Sequence, residues 1–177
     1  MRPGGNRDKG VGWELVVAKQ IAKDLGGFNQ QRYLPRAPDS GARIQWKGDI
    51  VAADKLAAIW PFLIECKKQE GWQLDGLIQP SSKHIVKEWF AKACEQAKES
   101  YDKVPLLIFA RNYQPWLVAY LEASFSDKTY GLKSFIQFEV EVCERVVNGR
   151  VMPYKDFMEK VLCVAFVPRI KELGIIP

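Results

Sequence analysis

Asp49 and, beyond fifteen intervening residues, Glu65-Cys66-Lys67 place two acids and a lysine at a spacing that suits work on a phosphodiester. Residues 62–67 (FLIECK) read as a strand, and alternate residues of a strand share a face. Glu65 and Lys67 therefore point the same way, while Ile64 and Cys66 turn to the apolar side. A carboxylate inside an apolar strand is costly to bury without a partner. If residues 49–53 (DIVAA) form a strand beside it, Asp49 lies next to Glu65. Two adjacent carboxylates repel unless they share a proton or a cation. Their oxygens, a backbone carbonyl and water suit octahedral Mg²⁺. The chemistry implied is metal-assisted hydrolysis: the ion lowers the pKa of a bound water and polarises the phosphate. Lys67 would orient or activate the attacking water or stabilise the pentacoordinate phosphorus.

The elements that must position these groups begin with a helix. From Gly10 to Leu25, Val11, Leu15, Ala18, Ile21, Ala22 and Leu25 recur at helical spacing, and Gly26-Gly27 end the run. Glu14 falls in register with Val11, Ala18, Ile21 and Leu25, on the face that packs on the sheet. It is the third candidate acid, holding the metal through water or positioning a second ion. The alternative is a glutamate at the helix edge whose head reaches water. Residues 1–9 read as a flexible basic arm, and a short strand is expected near Gln30–Leu34. Residues 49–53 and 62–67 should form an antiparallel hairpin. Ser81 or Ser82 would cap a helix over 83–101, with Trp89 in the core and Trp46 and Trp72 unassigned. Residues 104–110 and 116–120 read as strands, 135–147 as one further strand, and 154–170 as a final helix. The order gives an α/β domain around a mixed sheet.

Composition limits the alternatives. The 177 residues, 47% hydrophobic and 27% charged, suit a single domain with a real core. No apolar run has the length of a membrane span, and the start of the chain lacks the apolar stretch of a signal peptide. Cys66, Cys94, Cys143 and Cys163 form no CxxC pair, and His84 is the single histidine, which argues against zinc. The cysteines read as reduced, buried thiols of a cytoplasmic protein (the host cytoplasm if phage-encoded). His84 reads as an exposed bystander. Residues 1–48 hold nine Lys/Arg against four Asp/Glu, whereas 49–177 hold seventeen of each. The whole net charge of +5 thus lies in the first quarter, which suits a polyanionic partner, DNA or RNA foremost.

Glu14, Gly48-Asp49 and Glu65-Cys66-Lys67 together resemble the PD-(D/E)XK nuclease superfamily and, within it, the archaeal-type Holliday junction resolvases. The likeness covers about residues 7–111. Gly48 stands where the family usually has Pro before the metal-binding Asp, and the connection 68–82 is longer than in the compact resolvases. The loop Arg36-Ala37-Pro38-Asp39-Ser40-Gly41-Ala42 is similar to the family's Arg- and Ser-Gly-containing loop. The resemblance implies a restriction-endonuclease-like mixed sheet flanked by helices, with residues 112–177 as an extension of the same domain. It implies catalysis by Glu14, Asp49, Glu65, Lys67 and Ser40, the last beside the scissile phosphate. It also implies Mg²⁺, with Mn²⁺ as a substitute, held at Asp49, Glu65, Glu14 and Cys66. DNA contacts would come from Arg7, Lys9, Arg36, Arg43, Lys47 and Lys68. Gln96 and Tyr101 are similar to a Gln-x-x-x-Tyr motif with one residue too many; a solvent-facing glutamine is the alternative. The expected activity is paired cleavage of four-way DNA junctions by a homodimer, because two symmetric cuts need two sites about a two-fold axis. Another DNA nuclease of the same chemistry, or a non-catalytic DNA-binding module, remains open.

Overall fold

The computed structural model describes residues 6–38, 47–79, 82–125 and 136–177, and side chains from Gly12 onward. Its centre is a five-stranded mixed sheet in the order β1-β2-β3-β5-β4, from β1 (Phe62–Lys68), β2 (Val104–Ala110), β3 (Leu117–Leu121), β4 (Ile136–Val142) and β5 (Arg145–Pro153). β1 and β2 are parallel; every other pairing is antiparallel. A parallel pair needs a crossover, and α3 (Asp75–Ile78) with α4 (Ile85–Glu99) provides it. The last three strands complete the same sheet.

Strand alternation sorts the core into two layers. Ile64, Cys66, Leu106, Ile108, Val118, Tyr120 and Met152 face one side. There they meet Ile21 and Leu25 of α1 (Asn6–Asp24) and Phe157, Leu162 and Ile170 of the C-terminal helices. Leu107, Phe109, Ala119, Phe138, Val140 and Val151 face the other side, against Val86, Phe90 and Cys94 of α4. A fully buried Phe90 or Phe109 contributes roughly 1.5–3 kcal/mol relative to exposure. Cβ at Gly149 would lie 2.3 Å from the Phe138 ring, so the β4–β5 pair needs a glycine there. The closing segment runs as α5 (Tyr154–Phe157), one π-helical turn (Met158–Leu162) and α6 (Cys163–Glu172).

Several expectations change. The first helix begins at Asn6, so residues 6–9 are helical and not part of an arm. Its core face is Trp13, Val17, Ala18, Ile21, Ala22 and Leu25, with Leu15 only half-buried. Residues 30–34 make a short helix, α2 (Gln30–Tyr33), because Asn29 caps it: its Oδ1 accepts from the Arg32 amide at 3.1 Å. Residues 49–53 are not a regular strand. Their amides divide between two sides, Asp49 N–H to Ile64 O on β1 and Val51 and Ala53 N–H to Pro35 and Tyr33 O. The antiparallel sense survives as bridges Arg36–Ile50 and Ile50–Ile64. The single strand expected over 135–147 is two, turned at Cys143-Glu144, both at positive φ as a tight hairpin requires. The α4 cap is His84, whose Nδ1 accepts from Val86 N–H at 3.3 Å while Nε2 donates to Gln73 O at 2.7 Å. Trp72 is buried on Phe109, and Trp89 is half-buried against the same layer; Trp46 and Ser81 lie outside the described residues. Cys66 and Cys94 are buried thiols, but Cys143 is exposed.

Candidate active site

The site is assembled on the C-terminal half of β1. Gly48 sits at φ +90°, a conformation closed to proline, and a Cβ there would lie 3.0 Å from Ile64 O. This glycine lets the chain press against β1 and deliver Asp49. Asp49 is pinned at two points: its amide donates to Ile64 O at 2.8 Å, and its Oδ2 accepts the Cys66 amide at 2.7 Å. Asp49 is 9% exposed and Glu65 5%. On the next position of the same strand face, Lys67 Nζ donates to Glu65 Oε1 at 2.6 Å. Glu14 projects from α1 with its side chain 12% exposed and forms an ion pair with Arg36 Nε. Glu14 is thus half-buried, with its carboxylate turned to Arg36.

The electrostatics follow from this crowding. Burial, then the charge of Glu65, pushes the Asp49 carboxyl up to about 7; the Cys66 amide pulls it back, Glu14 raises it further and Lys67 lowers it. Lys67 is lowered by burial, but the charge and hydrogen bond of Glu65 and the charge of Asp49 outweigh this, and its pKa ends above the usual lysine value. It therefore stays an ammonium, suited to stabilising negative charge and not to removing a proton. The Cys66 thiol is driven well up by burial and by the neighbouring acids. What the structure shows of its part in the site is its main chain, whose amide donates to Asp49 Oδ2.

Glu14, Asp49, Glu65 and Lys67 are thus brought into one field, since Asp49 feels all three others. Among the described residues no three His, Cys, Asp or Glu side chains converge into a ready metal-binding group. Glu14 and Glu65 each face a cation instead. The donor chemistry still fits magnesium, which keeps several waters and needs only one or two carboxylates. Asp49 and Glu65, with Glu14 adjacent, supply hard oxygen donors, and a divalent cation would offset both the burial and the neighbouring charge that lift Asp49.

The remaining candidates divide. Arg36 lies at the acids, as the counter-ion of Glu14. Lys68 Nζ lies 5.3 Å over the Trp13 ring, beside the site. Lys47 is engaged by Glu99 at the end of α4 and is not brought to the acids. Ser40 and Arg43 lie outside the described residues, as do the side chains of Arg7 and Lys9, whose backbone starts α1. Gln96 is half-buried with Oε1 in the interior and is not solvent-facing; Tyr101 is exposed in the left-handed region. Sequence reasoning missed Trp13, which joins Lys68 to Trp116 by an edge-on ring contact at 4.6 Å; its place beside Glu14 was the available signal. It also missed the brace under the β2–β3 loop, where Arg111 Nη1 donates to Trp72 O at 3.0 Å and Asn112 N–H to Glu70 Oε1 at 2.6 Å.

Comparison with known proteins extends the match beyond residue 111. No curated protein matches the sequence. A solved structure of Archaeoglobus fulgidus Hjc, a Holliday junction resolvase, is similar at 11% identity, covering 94% of this chain and 96% of that one with a TM-score of 0.34. The profile of the family described as "Phage putative PDDEXK endonuclease" matches residues 5–158, which includes all four clustered residues and the sheet through β5. The chain belongs to that family of PDDEXK endonucleases.

Proposed function

We propose that this chain is a Mg²⁺-dependent endonuclease that cuts branched DNA, with the four-way junction as its substrate and a homodimer as its working form. The observation that carries the metal-dependent chemistry is the buried Asp49 carboxyl, raised to about 7 beside Glu65 and next to the Lys67 ammonium. Such a pair stores repulsion that a divalent ion discharges. When bound, the ion supplies a more acidic water and polarises the phosphate. Asp49 and Glu65 would hold it, Asp49 fixed by the Cys66 amide and Glu65 by Lys67. Lys67 stabilises the charge growing on the phosphoryl oxygens. Glu14, on the rigid face of α1, supports the acids through water, and Arg36 balances it. Mn²⁺, with similar oxygen preference, substitutes. Junction choice and the dimer rest on the sequence resemblance and on the cations concentrated before residue 48.

The test is cleavage of a labelled four-way junction and a matched linear duplex with and without Mg²⁺, comparing the wild type with Asp49→Asn. Symmetric nicks on the junction only, lost in the variant and without metal, support the proposal. Equal cutting of both substrates keeps the metal-dependent nuclease and removes junction selectivity. Tight binding without cutting by the wild type favours the non-catalytic module.

A further inference from the structure

Tyr113 is the most exposed large hydrophobic side chain of the described residues, at 102% of its reference area, and its backbone sits at φ +59°. A bulky residue is disfavoured there, so the surrounding structure must hold it. The holding contacts are specific. Arg111 donates to Trp72 O at 3.0 Å and its guanidinium lies 4.9 Å over the Trp72 ring. Asn112 N–H donates to Glu70 Oε1 at 2.6 Å. On the far side of the tip, Trp116 packs on Trp13 and on Tyr154, at 4.6 and 5.2 Å between ring centres. A loop clamped at both ends thus presents one aromatic ring to solvent in a strained pose. At that exposure the ring packs against none of the described residues.

Its position gives it a use. β1 and β2 run parallel, Lys67 pairs with Phe109, and Lys68 with Ala110, so both strands end on the edge that carries Glu65 and Lys67. Tyr113 follows Phe109 by four residues, a reach of at most roughly 14 Å from the strand that flanks the site. That is about four base steps of a duplex at roughly 3.4 Å each. Lys68 and Arg111 stand beside the same edge, and residues 111–116 contain no acid.

We propose that Tyr113 is a wedge: its ring stacks on a nucleobase left uncovered where a duplex branches or ends, and so sets the distance from the branch to the scissile phosphate. The inference rests on the reading of the chain as a DNA nuclease. A continuous duplex offers no open base face, whereas a branch does. The ring therefore selects structure and not sequence, because every base has a π-face. Stacking of one base on an aromatic ring corresponds to roughly 5- to 150-fold in affinity.

The experiment places 2-aminopurine at the branch of a four-way junction and at the centre of a matched duplex. It follows fluorescence on binding and, separately, cutting with Mg²⁺, for the wild type, Tyr113→Phe and Tyr113→Gly. Glycine is at ease at φ +59°, so Tyr113→Gly should melt no lower than the wild type, and loss of folding does not confound it. The wedge predicts a branch-specific fluorescence change in the wild type and Tyr113→Phe. In Tyr113→Gly that change should vanish, junction affinity should fall roughly 5- to 150-fold, and duplex affinity should stay the same. If Tyr113→Gly keeps the wild-type preference for the junction, or the wild type binds with no branch-specific change, the wedge is overturned. If the wild type cuts no DNA but the branch signal still requires Tyr113, the stacking stands, and the spacing to a scissile phosphate falls with the nuclease reading.

Discussion

β1 and β4 are both seven residues long and both carry glutamates, but the two strands hold them under opposite conditions. On β4, Glu139 and Glu141 alternate with Phe138 and Val140, acids to solvent and apolar side chains to α4. Glu65 of β1 is buried with Leu63 and Ile64 around it, Asp49 beside it and Lys67 as its partner. Water solvates a glutamate on β4 at no cost. On β1 the same side chain needs a lysine two residues on, and its charge adds to the burial that lifts the neighbouring Asp49 carboxyl to about 7. A glutamate in a strand is informative when the pattern around it leaves no wet face.

That contrast can be broken experimentally. Asp49→Asn keeps an oxygen for the Cys66 amide but removes the charge, so cutting should fall on the order of 10³-fold or more. The metal-free variant should melt higher than the wild type at pH 8; a lower melting temperature would mean that Asp49 is not strained by its surroundings. Lys67→Met should slow cutting by roughly 10²- to 10³-fold. It should also destabilise the fold by about 1–3 kcal/mol, because Glu65 would be left buried without its donor. A denaturant titration of the variant measures the second effect.

The pH dependence comes next. The folded Asp49 carboxyl lies above its usual 3.8, at about 7, so the folded state holds the proton more tightly than the unfolded chain. The corresponding stability is fully present below about pH 4 and is lost as pH rises through about 7. Thermal melts of metal-free protein between pH 4 and 8 should show this decline, and Mg²⁺ should restore most of the loss at pH 8. On the other edge of the sheet, Glu139→Gln and Glu141→Gln should each change stability by no more than about 0.5 kcal/mol and leave cutting unchanged. A large loss in either would place an active group on β4.

The clustering of the candidate residues was more legible in the sequence than the elements that carry them. The apolar run around Glu65 and Lys67, and Glu14 in the core register of α1, depend only on strand and helix periodicity. Asp49 was assigned to a strand, yet it sits in an irregular segment, because Gly48 at positive φ sends the chain across β1 with its amides divided between two neighbours. No local pattern announces such a division. The β4–β5 turn escaped notice because Cys143 and Glu144 take a backbone usually filled by glycine or asparagine. Arg36 and Lys47 read as cations for DNA, and only the tertiary fold shows them facing Glu14 and Glu99. Trp72 became a buried support for Arg111 because of a long-range contact that composition does not encode.

Asp24 ties the first helix to the closing helical segment: Tyr154 Oη donates to Asp24 Oδ2 at 2.9 Å, while Gln20 Nε2 donates to the other oxygen of Asp24 at 2.7 Å. Tyr154 is buried, and its neighbour Cys163 donates to the Asp24 carbonyl at 3.5 Å. The helix that carries Glu14 is therefore latched by residues 130 and 139 positions downstream in sequence. Amide exchange should reveal α1 and the C-terminal helices as one cooperative unit that opens together, distinct from the more protected β1–β2 pair. Each such opening would withdraw Glu14 from Asp49, so the lifetime of the assembled site would be set at the far end of the chain.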